Sequence, residues 1–204
     1  MTRQGSSPFL IGITGRIGAG KSYVAHLLAN LYQFPIYDSD HAAKRIVHLE
    51  PTRSHIIDLL GPESFKGGAY NNPFVGKAIF QNPDLKHALE QIIHPAVYSD
   101  FDHWRENLAD ESVLLIESAL MLQTGFYRKM NTLIKVEASY VMRKQRVLAR
   151  DPHRLPDTID QIEAIQAKAE TIPIGIPWHA IKNEPGNSLL IQIDQILQYF
   201  KLVG

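Results

Sequence analysis

Apolar positions recur along this chain with two different spacings. Phe9-Leu10-Ile11-Gly12-Ile13-Thr14 is a short run of apolar and β-branched residues, the composition of a buried strand. After a glycine cluster, Ser22 to Leu31 carries apolar residues at Val24, Leu27, Leu28 and Leu31, which predicts a helix with one apolar face. Phe34-Pro35-Ile36-Tyr37 reads as a second short strand. Pro35 puts it near a bend or an edge, because proline has no N–H for a sheet ladder. Val113-Leu114-Leu115-Ile116 is apolar without interruption up to Glu117, as in a strand covered on both faces. Thr132 to Val136 predicts another strand, followed by a helix from about Tyr140 to Arg150 that Asp151-Pro152 ends. Asp157 to Glu170 predicts a separate polar helix bracketed by prolines, the character of a mobile flap. Trp178 to Lys182 predicts a last strand and Leu189 to Leu202 a closing amphipathic helix.

The stretch from Asp38 to about Asp110 differs in character. Its helical patterns break at Pro51, Gly61-Pro62, Gly67-Gly68 and Pro73, and it offers no strand, so it reads as a helical insertion. Short strands alternating with helices elsewhere predict an α/β fold, with a parallel sheet covered on both faces.

Composition narrows the chemistry. The 204 residues suit one domain with insertions, and they include no cysteine, which removes disulfides, thiolate metal sites and cysteine nucleophiles together. Twenty-one basic and 21 acidic residues cancel, so the chain lacks the basic excess typical of a nucleic-acid binder. No stretch approaches the roughly 18 apolar residues of a membrane span, and the polar start does not resemble a secretory signal. The expectation is a cytoplasmic protein that binds neither nucleic acid nor membrane.

Gly15-Arg16-Ile17-Gly18-Ala19-Gly20-Lys21-Ser22 satisfies G-x-x-x-x-G-K-[ST] at every fixed position, between a predicted strand and a predicted helix. Its glycines let backbone N–H groups approach phosphate oxygens, and the helix that follows points its positive end at the same anion. Lys21 would reach the β- and γ-phosphates of a nucleoside triphosphate such as ATP, and the Ser22 hydroxyl would ligate Mg²⁺. The glycine spacing is wrong for a dinucleotide fingerprint.

A phosphate loop defines the donor and leaves the acceptor open. Tyr37-Asp38-Ser39-Asp40 ends the second strand with two carboxylates. Asp40 is either a base for an attacking hydroxyl or a helix cap before His41, and Asp38 reads as structural. Glu117 ends the third strand, either near the Mg²⁺ water shell or as a helix-start carboxylate. Arg143, Lys144, Arg146 and Arg150 crowd the helix before the flap, as a solvated basic face or as cations for transferring charge. The nine histidines include no H-E-x-x-H pattern and read as ordinary surface or core residues. Asp58-Leu59-Leu60-Gly61 imitates a GTPase pattern, but without a guanine signature it reads as a helix end.

At these residues the chain resembles the dephospho-coenzyme A kinase family over nearly its whole length. Ile11 to Ser22 is similar to that family's opening strand and loop, and Tyr37-Asp38-Ser39-Asp40 with Lys44-Arg45 to its acidic motif. Ala78-Ile79-Phe80 and Ile93-His94-Pro95 resemble its acceptor domain, and Leu114 to Glu117 its apolar run with a terminal acid. Gln145-Arg146, Arg150 and Gln166 match its lid, and Ala180-Ile181-Lys182-Asn183 its terminal strand. Four positions depart from the family pattern. Arg16 stands for glycine, Asn72-Pro73 for an acceptor-domain arginine, Ile162 for a lid arginine, and Trp178-His179 for Ala-Asp. Arg154 is a cation close enough in sequence to replace the lid arginine.

The resemblance implies a three-layer α/β/α core of residues 8–38, 111–150 and 172–204, an acceptor-binding insertion of 39–110 and a lid of 151–171. It implies ATP and dephospho-coenzyme A as substrates, Mg²⁺, and a monomer or weak homo-oligomer. Nucleotide binding falls to Gly15, Arg16, Ile17, Gly18, Ala19, Gly20, Lys21, Ser22, Tyr23 and Asn183. Acceptor binding falls to Asp40, Arg45, His94 and Glu117, metal binding to Ser22 and Asp40, and catalysis to Asp40, Lys21, Arg146 and Arg150. A kinase of another small metabolite and a non-catalytic ATP-binding protein are the rival readings.

Overall fold

The computed structural model describes residues 7–153, 155–168 and 171–203. In chain order the elements begin with β1 (Phe9–Thr14), α1 (Lys21–Tyr32), β2 (Ile36–Asp38), α2 (Ser39–Ile46) and α3 (Thr52–Leu60). Next come β3 (Phe65–Lys66), β4 (Ala69–Tyr70), α4 (Asn72–Gln81), α5 (Pro83–Glu106), β5 (Val113–Glu117) and β6 (Thr132–Glu137). The chain closes with α6 (Tyr140–Arg150), α7 (Pro156–Lys168), β7 (Trp178–Lys182) and α8 (Leu189–Tyr199). Two compact units result, one of Met1–Tyr37 with Leu108–Gly204, the other of Asp38–Asn107.

The first unit is built on a five-stranded sheet in the order β2-β5-β1-β6-β7. The pairs β1–β5, β1–β6 and β6–β7 are parallel, and β2 lies at the edge, where Pro35 costs no ladder bond. Pro35 still serves as an acceptor, its carbonyl taking the Leu115 N–H at 2.8 Å. All five residues of β5 are buried, which explains why that strand shows no polar alternation. Ile11, Ile13, Leu115, Ile134, Val136 and Ile181 form one face of the sheet, packed with Val24, Ala25 and Leu28 of α1 and Ile193, Ile196 and Leu197 of α8. No helix among the described residues is long and apolar enough to cross a membrane.

The second unit packs α2, α3 and α4 against the long helix α5. Val47, Ile56, Val75 and Leu89 are its buried centre. One expectation fails here, because the unit contains a hairpin. Phe65 pairs with Tyr70 and Lys66 with Ala69 in an antiparallel ribbon. Gly67 and Gly68, both at positive φ (58° and 82°), make the two-residue turn. Two-residue strands are too short to show a period, so only the Gly-Gly pair announced them. Asp58 to Gly61 closes α3 as expected, the Gly61 N–H capping onto the Ile57 carbonyl.

Candidate active site

The phosphate loop of the first unit joins the C-terminal end of β1, the central strand of the sheet, to α1. Backbone shape explains two of its glycines. Gly18 sits at φ 76°, and a Cβ there would lie 2.4 Å from the Arg143 carbonyl oxygen. Gly20 is the helix N-cap at φ 93°, and a Cβ there would meet Asn183 Nδ2 at 2.2 Å. No side chain caps α1, so its first N–H groups are left to face an anion. Lys21 and Ser22 open the helix, and Tyr23, 63% exposed, follows them.

Glu117 meets this loop from the neighbouring strand. Register places it opposite Ile13, and it is 4% exposed, with Oε1 accepting a 2.7 Å hydrogen bond from the Ser22 hydroxyl. Two hard oxygen donors therefore converge where β5 and α1 meet, a set that suits Mg²⁺. That ion binds through one or two protein groups and completes its shell with phosphate oxygens and water. Among the described residues no group of three or more His, Asp or Glu could hold a metal without such help.

The opposite flank of the loop is braced by α6 and the end of β7. Asn183 Nδ2 donates to the Ala19 carbonyl at 2.8 Å, and Arg146 donates to the Asn183 carbonyl at 2.8 Å and to Ala19 O at 3.4 Å. Arg150 is exposed in the last turn of α6. Arg143, read from sequence as one of a crowd of cations, is 5% exposed. It donates through Nε to Ala138 O (2.9 Å), through Nη1 to Ile17 O (3.3 Å), and through both terminal nitrogens to Glu163 (2.5 and 2.7 Å). A signal for it existed, since Arg143 and Val147 stand four apart on the same buried face of α6.

Helix α7 reaches the loop through two residues one turn apart. Glu163 Oε1 accepts from Arg16 Nη1 at 2.6 Å, and Gln166 Oε1 accepts from the Ile17 N–H at 2.8 Å. Hydrogen bonds from Arg143 and then Arg16 hold the Glu163 carboxyl below its ordinary value, against partial burial. The sequence alone does not single out Glu163, although it lies three residues before Gln166. Arg154 lies outside the described residues, as do Ala169 and Glu170 at the expected end of the lid helix. A cavity of about 340 Å³ lies beside this cluster, lined by Arg16, Lys135, Glu137, Ser139, Arg143 and Lys182.

The second unit carries the acidic motif. Asp38, not Asp40, caps α2, its Oδ1 accepting the His41 N–H at 2.9 Å. Asp40 is exposed in the first turn, where a carboxylate is favoured by the helix dipole. Arg45 Nη2 donates to Asp100 of α5 at 2.5 Å. His94 is half-buried inside α5, immediately before Pro95, and burial pushes its pKa below the ordinary histidine value while Glu90 opposes the shift.

The sequence profile described as dephospho-CoA kinase matches residues 9–172. A dephospho-CoA kinase of Porphyromonas gingivalis is 33% identical over 189 residues, covering 92% of both chains. The crystal structure of TT1252 from Thermus thermophilus superimposes with a TM-score of 0.84 at 27% identity, covering 98% of this chain and all of that one. A shikimate kinase from Acinetobacter baumannii, 15% identical with a TM-score of 0.54, shares the fold over 96% of this chain and 94% of its own.

Proposed function

The chain belongs to the dephospho-CoA kinase family, and from that membership we propose that it makes coenzyme A by moving the γ-phosphoryl of ATP onto the ribose 3′-hydroxyl of dephospho-CoA. The observation that carries the reading is a complete phosphate loop, Gly15 to Ser22, with Glu117 bonded to Ser22, inside a family match spanning 9–172. The ribose oxygen forms a bond to the γ-phosphorus as the bond to the β–γ bridging oxygen breaks. ADP leaves, and the hydroxyl proton passes to Asp40.

The transition state is loose, so positioning and charge neutralisation supply most of the rate. In this reading the amides at the start of α1 and the Lys21 ammonium hold the β- and γ-phosphates. Tyr23 and Asn183 would contact the nucleotide, and Arg146 and Arg150 would answer the charge that develops on the transferring group. Ser22 and Glu117 would hold Mg²⁺, which would neutralise phosphate charge, and Asp40 is the further oxygen donor proposed for the ion. Arg45 and His94 serve the acceptor within the insertion 39–110, and residues 151–171 act as the lid that excludes water.

The reading includes a cytoplasmic monomer or weak homo-oligomer that engages neither nucleic acid nor membrane. The cancelling charge of 21 basic and 21 acidic residues supports the first of these exclusions. The test is ADP release from Mg²⁺-ATP with and without dephospho-CoA, with the product identified by mass. Acceptor-dependent ADP and a product one phosphoryl group heavier are expected. ATP turnover that ignores dephospho-CoA but responds to another small alcohol would assign a different acceptor.

A further inference from the structure

We propose that Glu163 and Arg16 are positioning residues, forming a latch of the chain's own side chains that docks helix α7 on the phosphate loop. The Glu163 carboxylate is shared. Oε1 accepts from Arg16 at 2.6 Å and from Arg143 at 2.7 Å, and Oε2 accepts from Arg143 at 2.5 Å. One carboxylate thus joins the second residue of the loop to a buried arginine of α6.

The composition of α7 makes this contact decisive. Its inward stripe is Ile159, Ile162, Glu163 and Gln166, spaced i, i+3, i+4, i+7, and Ile159 is the buried residue of the helix. Ile159 is fully buried and anchors the helix, while the polar half of the stripe fixes where α7 meets the loop. Both polar members end on the loop, Glu163 at Arg16 and Gln166 at the Ile17 N–H. Other contacts at this seam among the described residues, from Tyr140 and Lys144 to Asp160, are exposed and screened by solvent.

Arg143 carries the consequence into the loop. The same guanidinium that chelates Glu163 also donates to Ile17 O and Ala138 O, and its backbone carbonyl packs on Gly18. Glu163 therefore fixes the lid helix and the frame of the phosphate loop through one hub. The departures at 16 and 162 belong together in this account. The chain has a cation in the loop and an acid on the lid helix, beside the position where an arginine is usual.

The consequence for catalysis rests on the kinase reading, but the latch itself is measurable without substrate. Hydrogen exchange on the full chain without nucleotide should show the α7 amides exchanging roughly ten- to a hundredfold faster in Glu163→Gln and in Arg16→Met, the loss expected for a charge-assisted hydrogen bond. The double variant should be no worse than the worse single one, because both remove the same contact. Arg16→Lys keeps a cation opposite Glu163 and leaves the Arg143–Glu163 pair untouched, so it should restore most of the α7 protection lost in Arg16→Met. In the transfer assay each single variant should raise ATP hydrolysis relative to phosphoryl transfer, a ratio that a purely structural contact would leave alone. Unchanged α7 protection in both single variants, or losses that add in the double variant, would overturn the latch. If Glu163→Gln also loses β5 protection, Arg16→Met decides, since it leaves the Arg143–Glu163 pair intact. Failure of the wild type to phosphorylate dephospho-CoA would remove the kinase reading without touching the exchange result.

Discussion

Lys21 and Ser22 occupy the first turn of a helix whose N-cap makes no side-chain bond, a helix start suited to an anion. Replacing Lys21 with alanine removes one charge-assisted contact worth about 1.5–3 kcal/mol. ATP should then bind roughly ten- to a hundredfold more weakly, with turnover falling too. Calorimetric titration with ATP and an ADP-release assay read the two effects separately. Unchanged affinity and rate would remove Lys21 from the site. Asp40 poses a different question, because Asp38 already caps α2 and capping therefore does not account for the second carboxylate. Asp40→Asn keeps the shape of the side chain but cannot take the ribose proton. We expect kcat to fall about 10²–10⁴-fold while ATP affinity is retained. A wild-type rate would reduce Asp40 to a first-turn charge that merely suits the helix dipole.

Docking of α7 has a pH dependence whose direction follows from Glu163. Its carboxyl is held below the ordinary glutamate value of 4.5, so the folded state keeps it ionised when the unfolded chain would begin to protonate. Its contribution is therefore complete above 4.5 and is lost as pH falls through the depressed folded value. Arg16 and Arg143 face it from the loop and α6. The Ile17 amide resonance, bonded to Gln166, should hold steady from neutral pH to about that point and then shift. Asp160, also depressed by its bonds from Lys144 and Tyr140, titrates nearby. Glu163→Gln should abolish the Ile17 transition, and its persistence in that variant would assign it to Asp160. The latch also marks where sequence reading stops. Strands such as β5 were legible because burial on both faces leaves an unbroken apolar run, and the phosphate loop because its chemistry requires a fixed spacing. Arg16 and Glu163 are 147 positions apart, and no local pattern announces that two opposite charges will meet. The hairpin of β3 and β4 escaped for the converse reason, being too short to have a pattern at all.

The two compact units divide the chemistry as well as the chain, with the phosphate loop in one and the acidic motif in the other. Ile56 is fully buried at the centre of the second unit, among Val47, Val75 and Leu89. Ile56→Ala should cost about 2–5 kcal/mol of that unit's stability. The expected outcome is an early unfolding transition in denaturant, with the KM for dephospho-CoA raised and ATP affinity preserved. A parallel loss of ATP affinity would mean that the loop depends on that core.

Sheet order has a bearing on how the chain comes to be folded during synthesis. β1 lies between β5 and β6, so the first strand to leave the ribosome must wait for partners beginning at Val113 and Thr132. The unit made of residues 38–107 is continuous in sequence and is complete before any of those partners emerge. Local contacts close with less loop entropy than distant ones, and domains form as their residues become available. Pulse-labelled refolding should therefore protect the amides of α3 and α5 before those of β1. The newborn enzyme would hold its second unit finished while its opening strand, Phe9 to Thr14, is still an unpaired apolar segment that the cell must shield.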